Sequence, residues 1–407
     1  MRRAIALGIG ILLATSVNNV LACEGDVDAA DSEPIQSTWP TLTLRSSTLV
    51  DPASSIVTIT DPAIVAWKQN TTGAKGNSPD ATINAIVSQI AADVQTVAYN
   101  STNVYLRASD VPSHPVGPFP GNPAAPSDRN RTFRIPRSPV AQSGTHTATG
   151  LGAIGVMVNG VALYNAADAQ SYHNLNIWHQ NANVFEGTSF DSGPGHPAPV
   201  QGATGTPIPG IYHYHQSPAA LIEQLDPGDT GQHHSPIIGY AFDGFPIYGP
   251  YGYKNVDGSG GIVRESSGYQ LRNITARTSL PDGTTLTSAQ YGPTTSSVAL
   301  GSYLEDYAYL SGAGTLDQYN GRFTVTPDYP QGTYAYFATL DASGGAAYPY
   351  LVGPTYYGAV ATDNLSPTGI TVPGDVTYYT PVPEPGAAAV LGLCGVLLGL
   401  RRGRKSH

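Results

Sequence analysis

Regular structure is interrupted often in this chain: 46 glycines and 34 prolines fall among 407 residues, about one position in five. Proline lacks a backbone donor and clashes with the preceding helical turn, and glycine costs about 0.5–1 kcal/mol inside a helix or strand. Long helices cannot be built on such a chain, which excludes coiled coils, helical bundles and multi-span membrane folds. Charged residues, at 12%, are about half the usual ~25%. Hydrophobic residues reach 41% and 25 tyrosines add large rings, so there is enough apolar surface to bury a core. The expectation is a β-rich globule, all-β or α+β, with short antiparallel strands, long Pro/Gly-rich loops and one helix.

Residues 23–55 are polar and irregular and read as a lead-in. Ile56–Thr60 alternates as a strand does. Between Asp80 and Asn100, the residues Ile83, Ile86, Val87, Ile90, Val94 and Val97 recur at helical spacing behind Asp80 as N-cap, which predicts the one helix near 80–100. Val111–Pro139 carries eight prolines and reads as an ordered loop anchored by Phe119, Phe133 and Ile135; a domain boundary there is the alternative. From Leu151 onward, runs such as Gly155–Asn159, Ile211–Gln216, Ile237–Phe242, Arg322–Thr326 and Thr333–Leu340 alternate with turn residues. No fixed repeat is present, so the expectation is one large domain over 56–360, followed by a spacer over 361–381.

Both ends read as addresses. Met1-Arg2-Arg3 and the apolar run Ala4–Ala14 form a signal peptide over 1–22, cut near Ala22 rather than lipidated at Cys23. At the other end, Pro383-Glu384-Pro385 precedes the apolar stretch Gly386–Leu400, and Arg401, Arg402, Arg404 and Lys405 follow. Fifteen apolar residues are short of the ~20 of a stable span. This ordered triple, 382–407, resembles a PEP-CTERM sorting signal. The resemblance implies an exosortase as processing partner and delivery to the surface or exopolysaccharide matrix of a Gram-negative-type bacterium. Membrane contact is then confined to the C-terminal segment before processing. Loss of both ends removes six basic residues from a chain already at −10, and so acidic a body is no partner for nucleic acid. The only cysteines are Cys23 and Cys394, so the body can hold neither a disulfide framework nor a thiolate metal site.

Seven of the ten histidines lie between His173 and His234. The densest point is Ile211-Tyr212-His213-Tyr214-His215-Gln216. On a strand, His213 and His215 share one face about 6.6–7 Å apart and the two tyrosines point the other way. Two imidazoles on one face can converge on a metal, and imidazole suits Zn²⁺ or Cu²⁺. Further ligands must come from elsewhere, with His179, His196 and His234 as candidates and Asp191 or Asp243 as carboxylates. The same alternation also fits a half-buried strand with polar tips on an aromatic belt. His114, His146 and His407 read as surface or tail residues.

At this tetrapeptide, Tyr212-His213-Tyr214-His215, the chain resembles the YHYH domain family. The stretch from His234 through Ile238-Gly239-Tyr240-Ala241-Phe242-Asp243-Gly244-Phe245-Pro246 to Pro250 is similar to the family's second signature. Gly155–Tyr164, Trp178-His179-Gln180-Asn181-Ala182, Gly195-His196-Pro197, Glu305-Asp306-Tyr307, Asn320-Gly321-Arg322-Phe323 and Tyr348–Gly358 fit the same pattern. The resemblance implies an exported bacterial protein in one large domain, and no reaction, because the family is defined by sequence. Many members carry cysteines near the histidines, which this chain lacks.

Phe242-Asp243-Gly244-Phe245-Pro246 reads as a turn, with Asp243 as the one candidate ligand or base. No nucleophile elbow, phosphate-binding loop or His-Glu-x-x-His helix occurs, which removes the common hydrolase, nucleotide and zincin readings. Three functions remain: a surface protein binding a divalent transition metal, a metal-dependent envelope hydrolase acting on matrix polymer, or a structural or adhesive matrix protein without metal.

Overall fold

Each alternating run above becomes a strand: Ile56–Ile59, Ala153–Met157, Ile208–Tyr214, Ile237–Ala241, Gly321–Thr324 and Thr333–Phe337. This computed structural model describes residues 47–50, 56–365 and 369–381. Most of the lead-in, the segment 1–22 read as a signal peptide and the stretch 382–407 read as a sorting signal lie outside the described residues.

Nine strands form the main sheet. Gly195–Pro199 pairs antiparallel with 208–214, which runs parallel to Ala162–Tyr164 and to Ala124–Pro126. From 162–164 the order continues through 153–157 and 237–241 to Pro246–Tyr248, then 333–337 and 321–324. The sheet is thus mixed: 208–214 has two parallel neighbours, and 246–248 runs parallel to 333–337. A second, antiparallel sheet has the order Thr377–Tyr379, Val94–Tyr99, Asn103–Ala108, Arg131–Pro136. One continuous core joins the two, with Val97, Leu106 and Phe133 packed in the same cluster as Val156, Leu163, Tyr212 and Tyr240. Full burial of each such side chain contributes about 1.5–3 kcal/mol.

The helix near 80–100 is shorter than its periodicity. It spans only Ala81–Val87, capped by Asp80, whose carboxylate accepts from the N–H groups of Thr82 and Ile83. The chain then turns through Asp93, at φ 62°, and re-enters as the strand 94–99. Val94 and Val97 fit a helical stripe by spacing, but β-branched side chains pack better on a pleated surface, and Val97 lies opposite Leu106. Three further short α-helices occur among the described residues, Pro62–Val65, Ala182–Phe185 and Ala219–Leu225.

The proline-rich segment 111–139, read as a loop, is only partly one: it contributes the strands 124–126 and 131–136 to the two sheets, with Phe133 and Ile135 buried on the second and Phe119 buried in the loop before them. The stretch read as a spacer is partly built in. Asn364 exchanges hydrogen bonds with the backbone of Arg134 at 2.8 and 2.9 Å, and 377–379 adds to the second sheet with Tyr379 buried. Thr-Tyr-Tyr offers the edge strand β-favouring side chains that a free spacer would not need. No helix among the described residues is long and apolar enough to cross a membrane.

Candidate metal centre

Strand pleating places the two tetrapeptide pairs on opposite faces. On one face Tyr212 and Tyr214 turn inward, each fully buried. Tyr212 donates to Asp191 at 2.9 Å, and Tyr214 hydrogen-bonds His114 Nε2 at 2.5 Å. His114 is therefore a core residue, contrary to the surface position expected: a ring with both nitrogens satisfied, Nδ1 by Pro115 O at 2.9 Å, can be buried cheaply. Asp191, expected as a possible ligand, is taken up otherwise. It accepts from the backbone of Gly117, Gly193 and Gly195 as well as from Tyr212. Gly195 permits this approach, since a Cβ there would fall 2.5 Å from Tyr212 Cζ.

On the other face three imidazoles meet. His196 lies directly opposite His213 in the antiparallel pair, and His215 follows two residues on. Opposed residues in such a pair have Cβ atoms about 4.5–5.5 Å apart. His213 Nε2 is 2.9 Å from His215 Nε2 and 3.1 Å from His196 Nε2. All three rings are buried.

The outer nitrogens determine what the inner ones carry. His213 Nδ1 faces Ile211 O at 2.9 Å, and His215 Nδ1 faces Asn165 O at 2.6 Å. A carbonyl only accepts, so both Nδ1 atoms are protonated. His196 Nδ1 meets Ser189 Oγ at 2.8 Å, and that hydroxyl spends its proton on Glu186 O at 2.7 Å. Ser189 thus accepts from His196 as well. Neutral rings so arranged present three Nε2 lone pairs to one another, and no hydrogen bond can form between them.

Protonation of His213 or His196 is disfavoured. Burial, and after it the neighbouring rings, push His213 well below the ordinary imidazole value. Burial and His215 lower His196 to about 4. A fourth donor comes from Glu186, just past the helix 182–185. Its Oε2 lies 3.3 Å from His215 Nε2 and 3.6 Å from His196 Nε2 and is buried without a hydrogen bond. Donors about 3 Å apart are what a metal about 2.0–2.1 Å from each imidazole nitrogen requires. The donor set, three nitrogens and one oxygen, suits a divalent transition metal. Tyr164 stacks on His213 at 4.0 Å, and Phe190 meets His196 edge-on at 4.8 Å. Nearby, Asp168 is raised to about 6, mainly by burial.

The structure brings together His196, His213 and His215 of the five candidate histidines. His234 lies elsewhere, edge-on to Tyr248 at 4.8 Å, with Nδ1 on Ser235 O and Nε2 buried without a partner. His179 pairs with Glu305 at 2.6 Å, and that hydrogen bond raises its pKa. Asp243 sits in the turn before 246–248, where Tyr336 donates to it at 2.5 Å and Gly358 N at 2.9 Å. A second group, Asp226, Asp229 and His233, gathers within one half-buried loop. There His233 Nε2 and Asp226 Oδ2 already pair at 2.6 Å. Sequence reasoning missed Glu186 and Ser189. The available signal was that Glu186 and Asp191 are the only carboxylates between His179 and His196.

No curated protein and no solved structure matches this chain. The family model described as YHYH protein matches residues 132–346, more than half of the chain. That span includes both strands that face His196 with His213, and the tetrapeptide itself supplies two of the three converging rings. The chain belongs to the YHYH family.

Proposed function

We propose that this chain is an exported metalloprotein that binds one divalent transition metal, Zn²⁺ or Cu²⁺, through His196, His213 and His215 with Glu186 beside them. The observation that carries this reading is the close meeting of three Nε2 lone pairs whose rings already donate through Nδ1. A cation turns that repulsion into three bonds, and it also satisfies Glu186 Oε2. Outer partners of this kind are what fix ring tautomers in metal sites. Copper(II) is the tighter binder at such donors in the absence of thiolates. The acidic body draws cations toward the site.

Delivery rests on the chain ends. The 1–22 segment and the 382–407 triple support export, processing by an exosortase and residence at the cell surface or among exopolysaccharide. Intact mass of the protein recovered from the cell surface tests this: retention of both ends would overturn it.

Elemental analysis of natively purified protein tests the centre. About one Zn or Cu per chain is expected, with a thermal shift on adding metal to stripped protein. Absence of bound metal together with absence of any shift would leave the adhesive matrix reading. A metal-dependent hydrolase acting on matrix polymer is the second reading of the same centre, favoured by the partial exposure of Glu186 and by the buried Asp168 near it. Metal-dependent cleavage of matrix polysaccharide, lost in His213→Ala, is its test.

A further inference from the structure

Three of the four donors are held on their outer side and the fourth is not. The rings of His196, His213 and His215 are 4%, 2% and 3% exposed, and each is fixed through Nδ1. Two of them sit on paired strands and the third directly follows one. Glu186 differs in each respect. It follows a one-turn helix instead of lying in the sheet, a third of its side chain is exposed, and no hydrogen bond holds its inner oxygen. Its backbone is fastened, with Glu186 N donating to Ala182 O at 2.8 Å and Glu186 O accepting from Ser189. The carboxylate itself is held by nothing but its approach to the His215 and His196 rings. Closed structural metal sites fill every position with firmly held protein donors, whereas catalytic sites hold three and leave one open.

We propose that the metal is retained by the three imidazoles while the Glu186 position is exchangeable, so that one small monodentate ligand from solvent takes the place of Glu186 Oε2. Glu186 Oε2 occupies that place at rest, and a small anion displaces it when supplied. This rests on the metal-centre reading above. The aromatic rings of Tyr164 and Phe190, packed against His213 and His196, limit the space beside the metal to a small ligand.

The test uses the purified full chain loaded with one equivalent of Cu²⁺ and titrated with azide. The readouts are the azide-to-copper charge-transfer band and the EPR spectrum. A saturable, one-to-one band is expected in the unaltered protein. In Glu186→Ala the same band is expected at about tenfold lower azide, because loss of one charged contact is worth about that much. Glu186→Gln keeps the side-chain volume and serves if the alanine variant does not fold. A copper-loaded protein whose spectrum azide leaves unchanged, with and without Glu186, overturns the exchangeable position and leaves the metal centre standing. Failure of the chain to take up Cu²⁺ or Zn²⁺ at all overturns both.

Discussion

The two faces of strand 208–214 are equally buried and differ in one respect. On the tyrosine face the hydroxyl groups are paired: Tyr212 with Asp191, and Tyr214 with His114, the Tyr214 hydroxyl also accepting from Asn159 Nδ2 at 3.2 Å. On the histidine face the outer nitrogens are paired and the inner ones confront each other. Buried polar atoms in native proteins almost always have partners, so a fully paired network is architecture, whereas facing lone pairs are the pattern on which the proposed metal centre rests. Burial and residue type alone would not separate the two faces.

That contrast can be broken most directly at His213. His213→Ala should weaken Zn²⁺ or Cu²⁺ binding by well over the 10–100-fold typical of supporting residues, measured by calorimetric titration. Saturating metal should stabilise the unaltered protein by about 2.7 kcal/mol at a hundredfold excess over Kd, and His213→Ala should lose this. Unchanged affinity in the variant would end the distinction between the faces.

His234 sharpens it through pH, being a buried histidine outside the centre. Burial lowers its pKa from 6.5 to about 4, with smaller contributions from Arg322 and His233. Its folded value lies below its unfolded value, so the unfolded chain holds the extra proton between the two. The stability it contributes is present above about pH 6.5 and is lost as pH falls toward 4, by roughly 3 kcal/mol. Urea midpoints of metal-free protein should therefore fall on acidification, and His234→Leu should flatten part of that slope. An identical slope in the variant would show that the ring is not held neutral.

Ser189→Ala removes the acceptor that orients His196. A 10–100-fold loss of metal affinity with little change in unfolding temperature is expected. An unaltered titration would show that Ser189 does not set the ring. The smallest effect belongs to the tyrosine face. Tyr212→Phe should cost about 1 kcal/mol, since Asp191 keeps three backbone donors, and should leave metal affinity unchanged. A large drop in affinity there would show that the two faces act as one unit.

Local pattern reaches some of this fold and stops at identifiable points. Alternation over 211–216 suffices to place His213 and His215 together, because a strand has period two whatever surrounds it. The run 80–100 misleads because Val94 and Val97, three apart, continue the helical spacing, while a bulge between Val94 and Thr96 shifts the strand's alternation so that both are buried. There, pairing of Val97 with Leu106 decides. Asp191 and Glu186 both lie between His179 and His196 in the sequence. The first is claimed by Gly117, far earlier in the chain, and the second is not, a difference no local window contains.

Composition and periodicity by themselves determined a turn-rich β body without thiols and two tetrapeptide histidines on one side of a strand. Those properties depend on bond geometry and residue type, which neighbours in the sequence settle. The tertiary structure decided which third imidazole joins the pair, which carboxylate faces them and which of the candidates are occupied elsewhere. Each of those depends on strands and loops distant in sequence arriving within about 3 Å, and on whether a buried polar atom has already found a partner when they do.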